Sequence, residues 1–202
     1  MKAYLDKATV RRSFSRAAKT YDRNSGFQND IRRMLLSYLP EKDVLTALDA
    51  GCGTGGLAAE LRRLYPAAKV LAIDSAKDML ETARENLAQG VCLFAADLES
   101  MPFKSESLCL VASNLTYQWS ASLEKAFTEC LRTLREGGRF VFSTLGPATF
   151  RELRESVNKA ALYINENIEN SSLCVFESSG HAPFITEPEK FTAMVNGFTE
   201  GL

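Results

Sequence analysis

The sequence predicts an α/β fold, a parallel sheet flanked by helices in the Rossmann-like manner. Three features predict it. Short apolar runs alternate with helical stretches between residues 44 and 144, the loops joining them are short, and the first run ends in a cluster of glycines. Alternation of this kind covers both faces of a parallel sheet with helices. Right-handed crossovers then bring the strand C-terminal ends to one edge, where open α/β sheets bind their ligands. A chain of 202 residues has room for one good-sized domain and not for two.

Two helices are predicted first. Val10, Phe14, Ala17 and Ala18 share one helical face, and Ile31, Leu35, Leu36 and Leu39 share another, ending at Pro40. Five apolar runs then fit buried strands: Val44–Ala50, Lys69–Ile73, Val91–Ala95, Leu108–Ser113 and Arg139–Thr144. Helices are expected between them at Leu57–Leu64, Ala76–Leu87 and Ser122–Arg135, the last stopped by Gly137-Gly138. Beyond these the pattern predicts a helix over 148–168, a turn at 169–172, a sixth strand at Leu173–Glu177 and a final helix at Glu187–Gly197.

The net charge of −1 conceals an asymmetry. Residues 1–33 hold nine Lys/Arg against three acids, a net +6 that leaves −7 for the remainder. Such a run reads either as a solvated helix face or as a docking surface for an acidic partner. It is short and has no recognition motif, so nucleic acid is not expected as a partner. No apolar run has the roughly 20 residues that span a bilayer, and the N-terminus lacks an apolar signal core; the expected location is cytoplasmic, with no membrane partner. The five cysteines include no CxxC pair and there is one histidine, His181. Buried reduced thiols are therefore expected, and a metal site is not.

The first strand runs into Asp49-Ala-Gly51-Cys52-Gly53-Thr-Gly55-Gly56. Glycines let the chain turn sharply and let a ligand approach the backbone, and the next helix offers free N–H groups. The glycine spacing alone would suit NAD equally. Asp49 decides between the two: a carboxylate is a poor neighbour for a pyrophosphate, but a good one for the ammonium and sulfonium of S-adenosylmethionine. Asp74, at the tip of the second strand, can accept both ribose hydroxyls, or can simply cap the helix that follows. Asp97 after the third strand can accept the adenine amine while Leu98 packs on the ring, or can be an ordinary loop acid. The fourth strand ends in Ser113-Asn114-Leu-Thr-Tyr-Gln118-Trp119, where a methyl acceptor would face the sulfonium. Trp119 reads as an acceptor wall or as core filling.

Four segments together resemble the malonyl-acyl-carrier-protein O-methyltransferases of biotin synthesis over residues 8–160: Phe14-Ser-Arg-Ala-Ala-Lys-Thr-Tyr21-Asp22 with Gln28, Leu48–Gly55, Asp97–Phe103 and Ser113–Trp119. The resemblance implies a class I methyltransferase that esterifies the free malonyl carboxylate with S-adenosylmethionine, releasing S-adenosyl-L-homocysteine. Candidate cofactor-binding residues are Gln28, Asp49, Gly51, Cys52, Gly53, Gly55, Asp74, Ser75, Met79, Asp97, Leu98 and Asn114. Tyr21, Gln118 and Trp119 are the acceptor-pocket candidates, and no residue is assigned as a general base. Because carrier proteins are acidic, Arg11, Arg12, Arg16, Arg32 or Arg33 are expected to contact one. The alternatives are a class I methyltransferase of another small acid or a quinone precursor, and a cofactor-binding chimera with impaired catalysis.

The tail departs from that family. Residues 171–200 resemble the last strand, histidine loop and final helix of an α/β-hydrolase, closest to pimeloyl-acyl-carrier-protein methyl ester esterase. No G-x-S-x-G elbow is present for His181 to serve, so esterase activity is not expected. The chain is thus divided into a helical cap (1–40), a cofactor-binding Rossmann-like domain (41–168) and a hydrolase-like tail (169–202) that is no independent domain.

Overall fold

The described residues form five strands, β1 (Thr46–Ala50), β2 (Lys69–Asp74), β3 (Val91–Ala95), β4 (Leu108–Asn114) and β5 (Leu134–Ser143). They form one parallel sheet in the order β3-β2-β1-β4-β5. The computed structural model describes residues 6–41 and 44–145, all within one compact unit spanning Tyr4–Leu145. The helix, turn, strand and helix expected beyond residue 147, with His181 and Cys174, lie outside the described residues, as does most of the predicted tail.

Among the described residues five α-helices accompany the sheet: α1 (Lys7–Ala17), α2 (Gly26–Leu36), α3 (Gly56–Leu64), α4 (Lys77–Asn86) and α5 (Leu123–Thr133). Asp6 starts α1 by accepting hydrogen bonds from the Ala8 and Thr9 N–H groups, and Ser122 caps α5 through the Lys125 N–H. Two 3-10 turns, Ala18–Thr20 and Asp22–Asn24, link α1 to α2, where the pattern had predicted a single helix through Ala18.

Alternation along the buried strands sorts the core into two layers. Ala47, Val70, Leu110 and Ala112 face one side with Leu35 of α2 and Leu57 and Leu61 of α3. Leu48, Ala50, Leu71, Ile73 and Val111 face the other with Cys130 of α5. Both layers are apolar and buried, so truncating a fully buried leucine such as Leu61 to alanine costs about 2–5 kcal/mol.

Three expectations are corrected. Helix α5 ends at Thr133, two residues early, and Gly137-Gly138 lies inside β5 rather than stopping the helix. The pairing of β4 with β5 jumps from Leu108↔Leu134 to Leu110↔Arg139, so residues 135–138 loop out as a bulge. Glycine is required there: Gly137 has φ +70°, and a Cβ on Gly138 would lie 2.8 Å from the Arg135 carbonyl oxygen. Of the cysteines expected to be buried, Cys52, Cys109 and Cys130 are, but Cys92 is exposed, because it sits on β3 at the edge of the sheet.

The chain winds outward from β1 through β2 to β3, then returns to lay β4 and β5 on the other side of β1. The order reverses between β1 and β4, and a crevice opens at their C-terminal ends. Helices α1 and α2 stand across its mouth.

Candidate active site

The crevice is a cavity of about 1130 Å³, counting its open mouth. Tyr21, Gln28, Asp49, Gly51, Cys52, Gly53, Asp74, Ser75, Met79, Asp97, Leu98, Asn114 and Trp119 all line it, which brings thirteen of the fifteen sequence-predicted site residues together. Gly55 and Gln118 do not. Gly55 caps α3 at φ +92°, where a Cβ would lie 2.9 Å from Leu87 Cγ, and the Gln118 Oε1 accepts from Thr144 Oγ1 and the Leu145 N–H.

The loop after β1 is held from three sides. Thr116 Oγ1 donates to the Gly51 carbonyl at 3.1 Å, and its side chain fills the space a Cβ on Gly51 would need. Asp74 Oδ2 accepts from the Gly53 N–H at 2.9 Å, and its Oδ1 accepts from the Ala76 N–H at 2.8 Å. Asp74 therefore ties the loop to the start of α4 and lines the cavity; the N-cap of α4 is Ala76, so Asp74 is not its capping residue. Gly53 itself has φ +53° and faces open space. Asp22 accepts from Thr54 Oγ1 at 2.6 Å and from Asn86 Nδ2 at 3.1 Å, fastening the N-terminal segment to loop and helix.

Asp49 is the electrostatic centre. It is 1% exposed, and its Oδ2 has no hydrogen-bond partner among the described residues. Burial pushes its carboxyl up to about 7; the Ala58 N–H opposes this, Asp74 adds to it, and Arg32 opposes it. Burial also raises Asp74, against hydrogen bonds from Ala76, Gly53 and Ser75. An unpaired buried carboxylate is costly, and such groups mark functional sites.

Asp97 differs. Burial pushes its carboxyl up, but Lys7 and the Glu99 N–H outweigh it and hold it below the usual range. Lys7 Nζ lies 2.8 Å from both Asp97 Oδ2 and Glu99 Oε2, and the Glu99 N–H bonds Asp97 Oδ1. Glu99 in turn accepts from the Ala121 and Ser122 N–H groups. Both Asp97 oxygens thus already have a donor.

At the end of β4, Asn114 donates to the Gln28 carbonyl at 3.1 Å and accepts from Ser143 Oγ at 2.8 Å, joining α2 to β5. The next residue, Leu115, takes φ +55°, an uncommon conformation for leucine, and lines the cavity. Phe14 stands edge-on to Trp119, with centroids 5.5 Å apart, and 6.4 Å from Tyr21, forming an aromatic wall. Trp119 is 40% exposed, which rules out core filling.

Sequence reasoning assigned no role to Lys7, Asp22, Phe14 or Thr116. Arg32, one of the arginines expected to contact a carrier protein, is half-buried and lines the cavity. Ser25, Gln28, Asn29 and Arg32 repeat at helical spacing and all face inward, a polar stripe that the sequence displays. Arg11 reaches the cavity rim, and Arg11, Arg12, Arg16 and Arg33 are exposed.

The crossover topology, the glycine loop and the acidic strand tips define the class I methyltransferase fold. Residues 48–142 match the model of the family described as "Methyltransferase domain". An S-adenosylmethionine-dependent methyltransferase from Mesorhizobium loti shares 30% identity and a TM-score of 0.51 over 57% of this chain and 53% of that one. More particularly, the chain is similar to malonyl-[acyl-carrier protein] O-methyltransferase of Methylovorus sp. (strain MP688). The two are 41% identical over 168 residues, 78% of this chain and 57% of that protein. It is also 38% identical to the biotin biosynthesis bifunctional protein BioHC of Cellvibrio japonicus, over 81% of this chain and 32% of that one. The chain therefore spans less than two thirds of the length of these relatives. Among the described residues no helix is long and apolar enough to cross a membrane.

Proposed function

We propose that the cavity binds S-adenosylmethionine and that the chain methylates the free carboxylate of malonyl-acyl-carrier protein, leaving a methyl ester and S-adenosyl-L-homocysteine. The observation that carries this reading is Asp49 Oδ2, a buried carboxylate oxygen with no partner, facing a cavity. A cationic ligand supplies what it lacks. The open space over Gly53, where a side chain would intrude, fits the same ligand. When bound, the cofactor supplies an electrophilic methyl group on a sulfonium.

The chain's own residues bind, orient and exclude water. Asp49 holds the ammonium end, with the Gly51, Cys52 and Gly53 backbone beside it. Asp74 takes the ribose hydroxyls on the lone pairs its backbone bonds leave free. Asp97 takes the adenine amine in the same way, with Met79 and Leu98 against the ring. No general base is needed, since a malonyl carboxylate is ionised at neutral pH; positioning and exclusion of water are the catalytic work. Tyr21 and Trp119, joined by Phe14, wall the acceptor side, and Gln118 supports it by tying the turn after β4 to residues 144 and 145. Residues 1–40 serve as the cap, and exposed Arg11, Arg12, Arg16 and Arg33 form the surface for an acidic carrier protein. The relatives' names support this acceptor.

The test is transfer of radiolabelled methyl to malonyl-acyl-carrier protein, scored as base-labile label. The reading expects label well above an Asp49→Ala control. Cofactor binding without label on that carrier would remove the acceptor assignment.

A further inference from the structure

Glu99 joins three parts of the cavity wall. It lies in the loop between β3 and β4 and lines the cavity, yet its side chain is only 10% exposed, against 41% for Asp97. Its Oε1 accepts from the Ala121 N–H at 2.8 Å and the Ser122 N–H at 3.0 Å. Its Oε2 lies 2.8 Å from Lys7 Nζ, and its own N–H donates to Asp97 Oδ1 at 3.0 Å. Burial pushes the Glu99 carboxyl up, but Lys7 and the Ser122 N–H outweigh it and hold it below the usual range. A withdrawn carboxylate with every bond charge-assisted fixes what it touches.

These contacts close a ring. Trp119 ends a 3-10 turn two residues before Ala121 and meets Phe14 edge-on, with centroids 5.5 Å apart. Phe14 follows Lys7 on α1 by seven residues, about two helical turns, and Lys7 returns to Glu99. Ser120, between Trp119 and Ala121, lines the cavity with a buried Oγ that has no partner among the described residues. The turn's own bonds, Trp119 N–H to the Thr116 carbonyl and Ser120 N–H to the Tyr117 carbonyl, are internal; they shape the turn without placing it. Gln118 ties it to residues 144 and 145, while Glu99 ties its exit to α1 and to the loop that carries Asp97.

We infer that Glu99 is a positioning residue, which sets Trp119 and Ser120 on the acceptor side in register with Asp97 on the cofactor side. A ligand held at Asp97 steadies the loop, and the loop steadies the acceptor wall through the Glu99 side chain. The inference rests on the proposed function for the identity of the two ligands.

The experiment uses Trp119, the only tryptophan, as its own reporter. The full chain and its Glu99→Gln and Glu99→Ala variants are titrated with S-adenosyl-L-homocysteine by calorimetry and by tryptophan emission. Each is then assayed on malonyl-acyl-carrier protein at saturating cofactor. Gln keeps an oxygen for the Ala121 and Ser122 N–H groups and loses the charge facing Lys7; Ala loses both. Wild-type emission is expected to shift as the cofactor site fills. Glu99→Ala is expected to bind the probe with little change in affinity, to show no such shift, and to raise the acceptor KM about tenfold or more. Glu99→Gln falls between, and decides alone should Glu99→Ala fail to fold. Variants with the wild-type emission response and the wild-type KM would overturn the inference, as would equal weakening of cofactor and acceptor. A wild type that labels no malonyl carrier would remove the acceptor assignment, leaving the emission response to decide the role of Glu99. A wild type that binds no probe would overturn the cavity reading and this coupling with it.

Discussion

On one side of the cavity, the tips of β1, β2 and β4 hold Asp49 and Ser113 among residues almost wholly withdrawn from solvent. On the other, α1 buries no residue and α2 buries only Leu35. The first wall is fixed by ladder pairing and by hydrogen bonds from the loop into the sheet, such as Gly51 and Cys52 N–H to the Ile73 carbonyl. The second is pinned by a few polar contacts: Lys7 to Asp97 and Glu99, Asp22 to Thr54 and Asn86, and Asn114 to Gln28. The difference assigns the work. A rigid sheet edge can hold a ligand in one geometry, while a lightly anchored wall can open to admit one, as the proposed function requires.

The contrast breaks most severely at Gly51. An alanine there must adopt φ +81° and displace Thr116. Strain and overpacking together are expected to cost about 2–4 kcal/mol by denaturant unfolding and to abolish cofactor binding. Adding Thr116→Gly should restore part of the stability.

Asp49 should show the opposing demands of stability and binding. Its folded carboxyl lies at about 7, above the ordinary aspartate value of 3.8, so the folded state holds a proton that the unfolded chain releases. The stability this gives is full below 3.8 and is lost as pH rises through about 7. Asp49→Asn stays neutral, so the ligand-free variant should melt above the wild type at pH 8, by an amount on the order of a few kcal/mol. It should bind the cofactor more weakly all the same. Lower stability at pH 8 would mean that the carboxylate has a structural partner.

On the cap side the effects should be smaller. Asp22→Ala removes bonds to Thr54 and Asn86, and is expected to cost about 1–2 kcal/mol. Amide exchange should accelerate in α1 and α2 and leave the sheet unchanged. Lys7→Met should cost at most about 1 kcal/mol, since the ion pairs are partly exposed. Asp97 and Glu99 are held below their usual range, so these pairs stabilise above pH 4.5 and loosen as pH falls through the lowered values. A melting temperature that falls less in acid for Lys7→Met than for the wild type would show it.

The sheet was legible because a buried parallel strand has to be a short apolar run. Val91–Ala95 is read to the residue, and Asp49, Asp74 and Asp97 announce themselves by standing at or just after the ends of successive runs. The β5 bulge was not, because Gly-Gly serves equally as a helix stop and as a bulge, and only the pairing partner Leu108 decides. Contacts such as Lys7 with Asp97, 90 residues apart, leave no local pattern. The place of Arg32 was harder to read, because composition counts a charge without saying which helix face carries it; the spacing of Ser25, Gln28, Asn29 and Arg32 is the signal that puts it on the cavity side.

The most direct measurement of the central claim is calorimetric titration of S-adenosylmethionine at pH 5.5 and 7.0, with Asp49→Asn alongside to separate Asp49 from Asp74 and Asp97. If Asp49 is the counter-charge and ionises near 7, wild-type affinity should rise more than about tenfold between the two pH values, the increase in its ionised fraction. The variant should bind weakly and nearly independently of pH. Wild type and variant binding with the same affinity and the same pH dependence would contradict the account.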